Sequence, residues 1–294
     1  VGGMFNTASA GCSFIGGGAL NTVSATYGSI VGGQCNTASA ACTFIGGGNR
    51  NIACGLNSSV VGGTLNTASG VCSFIGGGEC NYNNDFRSSI VGGLKNIAKI
   101  TGKGNQFIGG GQENTASGNY SFIGGGSCNQ TLTSFATVVG GTLNTASGTC
   151  SFVGGGANNL AFVDGGVVVG GSNNCNESCY SIIGGGLTNC INGPGCSAIV
   201  GGCLNTVNGN NCFAFIGGGC CNCASAGSGR VGQVIGGGSC NVVCSNDGSI
   251  LGGFGNCVSG NQSSVVGGIL NTASGACSFI GGGSCNQATA LFSS

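Results

Sequence analysis

The sequence predicts an all-β fold, a parallel β-solenoid (β-roll) of about 18 short coils of 14–19 residues. Three observations lead to this prediction. A motif of one aliphatic residue (Val, Ile or Leu) followed by Gly-Gly occurs nineteen times in the 294 residues, its two residues before the glycines are apolar wherever the chain includes both, and an Asn follows every copy four or five residues after its first Gly. A binding loop occurs once or twice in a chain, so nineteen copies indicate a repeated structural unit. We expect one continuous domain over residues 1–294 and, because the chain starts in mid-repeat at Val1, a fragment of a longer chain.

The first element of each repeat is a short strand that ends at the glycines, as in "SFIGGGECN" at residues 73–81. Successive side chains of a strand point to opposite faces. Because both residues before the glycines are apolar, one faces the coil interior and the other faces away from it. A strand that is apolar on both faces is buried on both faces. The pattern therefore predicts a second packing layer, most simply further copies of the same chain, in a homotrimer or filament.

The second element is the glycine corner, which occurs in two forms. Ten copies read Gly-Gly-Gly and nine read Gly-Gly. Glycine makes room for close approach, so we interpret the extra glycine as the companion of a bulky ring. Eight triple-glycine copies have a Phe two residues before the first Gly, and we assign these residues to inter-chain packing: Phe14, Phe44, Phe74, Phe107, Phe122, Phe152, Phe215 and Phe279.

The third element is the recurring Asn, which we expect to form a structural ladder. An Asn at one corner can hydrogen-bond to its own copy in the next coil and to the turn backbone. The ladder begins with Asn6, Asn21, Asn36, Asn51, Asn66, Asn81, Asn96, Asn114, Asn129 and Asn144, and continues to Asn286.

The fourth element is a second strand after the Asn, as in "NTASG" at residues 66–70. Two-residue alternation places Ala68 inside the coil and Thr67 and Ser69 outside. Outward Thr and Ser on successive coils are also what a flat ice-binding surface needs. Three consecutive coils provide them, beginning at Thr7, Thr22 and Thr37, but Ile52 and later residues interrupt the array.

Two repeats, "NTASGVCSFIGGGECN" (66–81) and "NTASGNYSFIGGGSCN" (114–129), resemble the glycine-rich repeats of trimeric adhesin heads and of bacteriophage or large-virus fibres. The resemblance covers the whole chain and implies parallel β-rolls with short coils, usually three chains to a stalk. It implies a structural shaft of an extracellular or virion-surface fibre, whose partners are copies of itself and, if it contributes to attachment, a host-surface glycan or protein. The "NTxSG" element also resembles the ryegrass-type ice-binding β-roll, so ice or flat-surface binding is the alternative.

The 22 cysteines suggest an oxidising compartment or a virion surface. Stacked in register, Cα atoms of neighbouring coils lie about 4.8 Å apart, inside the disulfide window of about 4.4–6.8 Å. Equal offsets from the ladder Asn predict four disulfides between neighbouring coils: Cys175–Cys190, Cys196–Cys212, Cys203–Cys220 and Cys221–Cys240.

A second set of thiols has an unlike residue in each neighbouring coil: Cys12, Cys42, Cys72, Cys150 and Cys277. If one repeat is one coil, these are free or bridge to another subunit; if a coil spans two repeats, they stack directly. The "CCNC" at 220–223 has loosely zinc-like spacing, but a four-thiolate site needs two such pairs to converge and the chain has no His. We therefore expect no metal and no cofactor.

Composition disfavours other function classes. Only twelve side chains are charged, and they balance to zero, so no basic patch for nucleic acid is expected. No apolar run of about 20 residues is present, so no membrane-spanning helix is expected. Without His, and with Asp85, Asp164 and Asp247 in different coils, we expect no catalytic residues and no enzyme activity. Irregular corners are expected near 94–106, 191–197 and 223–233. The first contains Lys95, Lys99 and Lys103, shortly after Arg87, and is either a site for an anionic glycan or a partner protein, or a solvated loop.

Overall fold

A computed structural model describes residues 2–99, 104–209, 212–226 and 232–294. Within these residues the chain is all-β, a parallel β-solenoid of about 18 turns with no helix. The fold prediction is confirmed at this level. The chain comprises two compact units, Val1–Asn144 and Thr145–Ser294, which repeat the same coil.

One coil shows the path of the chain. After the ladder residue Asn66, the strand Thr67–Ala68 leads to a turn, the strand Phe74–Ile75 leads to the glycine corner, and Glu79 forms a single-residue bridge before the next ladder Asn. Each coil therefore stacks on its neighbours through three parallel ladders. The strands are two residues long in nearly every coil because the glycines and the turn bend the chain before a longer strand can form.

Strands are numbered in chain order, and odd numbers form the first ladder, after the Asn. In the first unit these are β1 Thr7–Ala8, β3 Thr22–Val23, β5 Thr37–Ala38, β7 Ile52–Ala53, β9 Thr67–Ala68, β11 Tyr82–Asn83, β13 Ile97–Ala98, β15 Thr115–Ala116 and β17 Gln130–Thr131. In the second unit they are β19 Thr145–Ala146, β21 Leu160–Ala161, β23 Cys175–Asn176, β25 Cys190–Ile191, β27 Thr206–Gly209, β29 Cys223–Ala226, β31 Val242–Val243, β33 Cys257–Val258, β35 Thr272–Ala273 and β37 Gln287–Ala288.

Even-numbered strands form the second ladder, before the glycines. In the first unit these are β2 Phe14–Ile15, β4 Ser29–Ile30, β6 Phe44–Ile45, β8 Ser59–Val60, β10 Phe74–Ile75, β12 Ser89–Ile90, β14 Phe107–Ile108, β16 Phe122–Ile123 and β18 Thr137–Val138. In the second unit they are β20 Phe152–Val153, β22 Val167–Val168, β24 Ile182–Ile183, β26 Ala198–Ile199, β28 Phe215–Ile216, β30 Val234–Ile235, β32 Ser249–Ile250, β34 Ser264–Val265 and β36 Phe279–Ile280.

The register establishes that one repeat is one coil. Thr7 pairs with Thr22 in the first ladder, and Phe14 pairs with Ser29 in the second. Each repeat thus stacks directly on the next one, in parallel.

The core is a narrow file of small and medium aliphatic side chains between the two ladders. The second residue of each strand points inward: Ala68 from the first ladder and Ile75 from the second are both fully buried. Small residues on one side and Ile or Val on the other fill the space between two closely opposed strands. In the first unit, these residues form one continuous hydrophobic cluster from Ile15 to Ile123.

Two corners of the coil require a left-handed backbone. Gly78 has φ +86°, and a Cβ there would collide with the backbone of Gly93 in the next coil. The residue before the ladder Asn and one residue in the turn between the strands also have positive φ, for example Cys80 and Cys72 at 56° each. This conformation costs a non-glycine residue roughly 1 kcal/mol or more, and coil stacking must compensate for it.

Candidate functional site

The second ladder presents an exposed apolar surface, which we call the Phe/Val face. In the first unit its members are Phe14, Val31, Phe44, Val61, Phe74, Val91, Phe107, Phe122 and Val139, each 37–54% exposed. None of the twelve charged residues of the sequence lies in the second-ladder strands or directly after them. A contiguous exposed apolar surface of this kind is typical of an interaction site.

The Phe/Val face alternates between two patterns of bulk. In one coil Phe44 is followed by the inward Ile45 and then by Gly46, and the Phe44 ring lies over Gly46, 3.5 Å from where a Cβ would be. In the next coil the small Ser59 occupies the Phe position, because Phe44 pairs with Ser59. Val61 then occupies the position of Gly46. Bulk thus shifts from one side of the face to the other in alternate coils.

The register shows that the first glycine of a Gly-Gly-Gly corner is not an inserted residue, because it has a direct partner in the neighbouring coil. The triple and double forms align on their last glycine, since Gly18 packs against Gly33. The first Gly of the triple form therefore occupies the position directly after the strand, which Val, Leu or Gly occupies in the neighbouring coil. Sequence analysis identified the Phe residues but missed Val31, Val61, Val91 and Val139 as members of the same face. Alignment on the last glycine instead of the first would have revealed them.

All eight predicted Phe side chains point away from the coil interior. Seven are 37–54% exposed, and Phe152 is partly buried. Where the alternation fails, two triple-glycine coils follow each other, and Phe107 stacks on Phe122 with ring centroids 5.4 Å apart and planes at 4°. The structure thus places these rings where a second layer could contact them.

The asparagines occupy the glycine corner and form a continuous hydrogen-bonded column within each unit. Asn66 is fully buried, and its Nδ2 donates to the carbonyl oxygens of Gly62 (3.1 Å) and Gly78 (2.8 Å). Its Oδ1 accepts from the backbone N–H of Asn81 at 3.0 Å. Each Asn therefore ties its own corner to the next coil, as Asn36 does with Gly32, Gly48 and Asn51.

The outer side of the first ladder has the interrupted threonine array that the sequence predicts. Thr7, Thr22 and Thr37 stack in register. Ile52 follows in the same column, and Tyr82 stands two coils beyond it. The longest run of outward Thr in the first unit is thus three coils.

All 22 cysteines are free thiols, so none of the four predicted disulfides is formed. The register nevertheless brings three of the four pairs together. Cys175 pairs directly with Cys190, and Cys203 with Cys220. Cys221 and Cys240 follow the bridge partners Cys220 and Ser239 and stack likewise.

The prediction that Cys196 stacks on Cys212 is wrong. Cys212 forms its bridge with Gly195, and the N–H of Cys196 donates to the carbonyl of Cys179 at 2.9 Å. The ladder asparagines Asn189 and Asn205 are 16 positions apart, and Asn205 and Asn222 are 17 positions apart, whereas most neighbouring ladder asparagines are 15 apart. The extra residues lie in the turn, so an offset counted from the Asn no longer gives the register there.

The stacked thiols perturb one another. The hydrogen bond that Cys190 receives from Cys175 lowers the pKa of Cys190 and raises that of Cys175, and burial and the nearby Glu177 raise the latter further. Glu177 Oε1 lies 3.4 Å from Cys175 Sγ and is a second acceptor within reach of the single thiol hydrogen. The Sγ atoms of the adjacent residues Cys220 and Cys221 lie 3.3 Å apart, and this contact raises the pKa of Cys221 to about 11.

The widely spaced thiols are in alternate coils. Cys12, Cys42 and Cys72 occupy the left-handed turn position, and Tyr27 and Asn57 occupy it in the coils between them. Two coil spacings are about 9.6 Å, beyond disulfide reach. Cys150 and Cys277 occupy the same turn position in the second unit. In the described ranges, no group of three or more His, Cys, Asp or Glu side chains could hold a metal ion.

The cationic residues near 94–106 are not gathered on one corner. Lys95 lies at the glycine corner, 3.8 Å from Glu113 Oε1, whereas Arg87 lies in the turn between the strands, over the ring of Phe86. Lys99 follows β13 on the first ladder. Lys103, residues 100–102 and residues 227–231 of the predicted irregular corners lie outside the described residues.

No protein-family model matches this sequence, and no curated protein sequence matches it significantly. In the part of the chain that the structure describes, no helix has the length and apolar character needed to cross a membrane.

Proposed function

We propose that this chain is the structural shaft of an extracellular or virion-surface fibre, built from several copies of itself as a trimer or filament. The observation that carries the proposal is the Phe/Val face. The coil already buries its own core, so this second apolar surface is not needed to fold one coil.

A second copy of this chain is the occupant that fits the face best. The face has no charge that a partner must neutralise, and the chain as a whole has zero net charge, so copies do not repel one another. From Phe14 to Phe107 its relief repeats every two coils, about 9.6 Å. A copy displaced by one coil would place its Phe rings over the serines of the first copy.

A shaft also suits the arrangement of the hydrogen bonds. The backbone ladders and the Asn column join each coil to its neighbours within a unit, so a pulling force along the stack is shared among many parallel bonds. Attachment to a host-surface glycan or protein, where it occurs, is assigned to regions other than these coils.

The test is the oligomeric state of the full chain and of the variant Phe74→Ser, by sedimentation velocity over a range of concentrations. Phe86→Ser is the matched control, since Phe86 is as exposed as Phe74 (37% and 38%) but lies in the turn. We expect trimers or longer assemblies for the wild type and the control, and smaller species for Phe74→Ser with unchanged β-sheet circular dichroism. A monomeric wild type at all concentrations, or equal effects of the two substitutions, would contradict the proposal.

Ice binding is the second candidate, and the in-register run of Thr7, Thr22 and Thr37 favours it. The run is short, and the Phe/Val face has no part in it. Thermal hysteresis measured on the same preparations distinguishes the two: a fibre shaft gives none, and Thr22→Leu would abolish it in an ice-binding protein.

A further inference from the structure

We propose that Cys175 and Cys190 form a redox site that closes into an inter-coil disulfide when the protein meets a small-molecule disulfide such as oxidised glutathione. The inference does not depend on the proposed fibre, because these residues lie on the first ladder and not on the Phe/Val face.

The backbone register supplies the geometry. Cys175 begins β23 and Cys190 begins β25, and the two are direct partners in a parallel ladder. Their Cα atoms are thus about 4.8 Å apart, inside the window of about 4.4–6.8 Å that a disulfide needs. Both side chains point outward and are half-buried. In this column Leu160 precedes the pair and Thr206 follows it, so each thiol has one thiol neighbour.

The local electrostatics give the two thiols different roles. The hydrogen bond from Cys175 lowers the pKa of Cys190, so Cys190 is the thiol that becomes a thiolate first. Cys175 stays protonated, since Cys190 and then burial raise its pKa. The groups that face the pair from the neighbouring coils are Leu160 and Thr206, so Glu177 is the charged group beside it. The thiolate is the reactive form in thiol–disulfide exchange.

The reaction has two balanced steps. The Cys190 thiolate attacks one sulfur of the small disulfide, forms a mixed disulfide and releases one small thiolate. Cys175 then loses its proton to a released thiolate and attacks the Cys190 sulfur, so that the Cys175–Cys190 bond forms and the second small thiolate leaves. Overall, the two protein thiols are oxidised by two electrons and the small disulfide is reduced to two thiols.

The chain contains its own negative control. Cys257 begins β33 on the first ladder and Cys244 directly follows β31, but Cys257 pairs with Val242, two residues before Cys244. Their diagonal Cα separation is about 8 Å, from a strand spacing of about 4.8 Å and a rise of about 3.3 Å per residue. A disulfide cannot span more than about 7 Å without backbone movement. Proximity of thiols alone would link both pairs, whereas in-register geometry links Cys175 to Cys190 and leaves Cys244 and Cys257 unlinked.

The experiment uses the full chain, fully reduced, incubated with oxidised glutathione near pH 7, alkylated and digested with chymotrypsin. Cleavage after Tyr180 and Leu187 separates the two cysteines, so a disulfide appears as a linked peptide pair in mass spectrometry. Because these peptides also contain Cys179, Cys196 and Cys203, fragmentation of the linked pair identifies the two cysteines that are joined. We expect Cys175 linked to Cys190 and no link between Cys244 and Cys257. Cys175 and Cys190 each carrying glutathione or the alkyl group, without a link, would overturn the proposal.

Two further measurements assign the roles. In Cys175→Ser the reaction should stop at glutathionylated Cys190. In the reduced wild type, brief alkylation near pH 7 should label Cys190 at least about tenfold faster than Cys175, because the thiolate fraction of Cys190 is larger. Equal rates would refute the assignment. A mixture of isotopically light and heavy chains tests the connection between coils: mixed-isotope linked peptides would show that the bond joins two chains and would contradict the site.

Discussion

Replacing Asn66 with Ala should destabilise the coils around it by about 4 kcal/mol. Three of the hydrogen bonds of this side chain are to the backbone: it donates to the carbonyls of Gly62 and Gly78 and accepts from the N–H of Asn81. Each contributes about 0.5–1.5 kcal/mol, and a buried group left without its partner costs about 1–3 kcal/mol more. The N–H of Asn81 would be such a group, because Asn66 Oδ1 is its acceptor.

Hydrogen exchange measured by mass spectrometry is the suitable assay, because repeat proteins open locally and not only as a whole. Protection should fall in the segment around residues 51–81 and be retained in distant coils. Asn57→Ala is the matched control: Asn57 is exposed and has φ 57°, so its loss should cost only about 1 kcal/mol through the left-handed backbone. Equal loss of protection in the two variants would refute the role we assign to the Asn column.

Three other outcomes follow from the same geometry. Val60→Ala should cost about 2 kcal/mol of folding stability by opening a cavity in the core. Val61→Ala changes a side chain that is 47% exposed, so it should leave monomer stability almost unchanged and weaken assembly. Denaturant unfolding measures the stability and sedimentation measures the assembly, and similar unfolding curves for the two variants would contradict the assigned faces. Gly46→Ala should cost about 1–3 kcal/mol, because its Cβ would collide with the Val61 carbonyl, while Gly47→Ala, with open space around it, should be nearly neutral in thermal unfolding. Glu177→Gln removes a negative charge that raises the pKa of both Cys175 and Cys190. The pH midpoint of Cys190 alkylation should therefore move down, and the alkylation rate at pH 7 should rise. An unchanged or higher midpoint would show that the carboxylate does not act on this thiol.

Much of the coil could be predicted from the sequence because its signals are local and repeated. The Gly-Gly and Asn motifs fix where the chain turns, and the alternation in "NTASG" fixes that Ala68 points inward and Thr67 outward. The outward orientation of the Phe side chains follows from the same two-residue rule. These features depend on neighbouring residues of one strand, which the sequence contains in full.

The register between coils was decided only by the tertiary structure. Phe44 pairs with Ser59 and not with Val60, which places the extra glycine directly after the strand, beside Val61, and places Val61 on the exposed face. Likewise, the longer turns after Asn189 and Asn205 shift Cys212 onto Gly195, while Cys175 and Cys190 remain aligned. A coil length counted along the chain cannot show where extra residues are accommodated, because backbone hydrogen bonds between coils determine which residues stack.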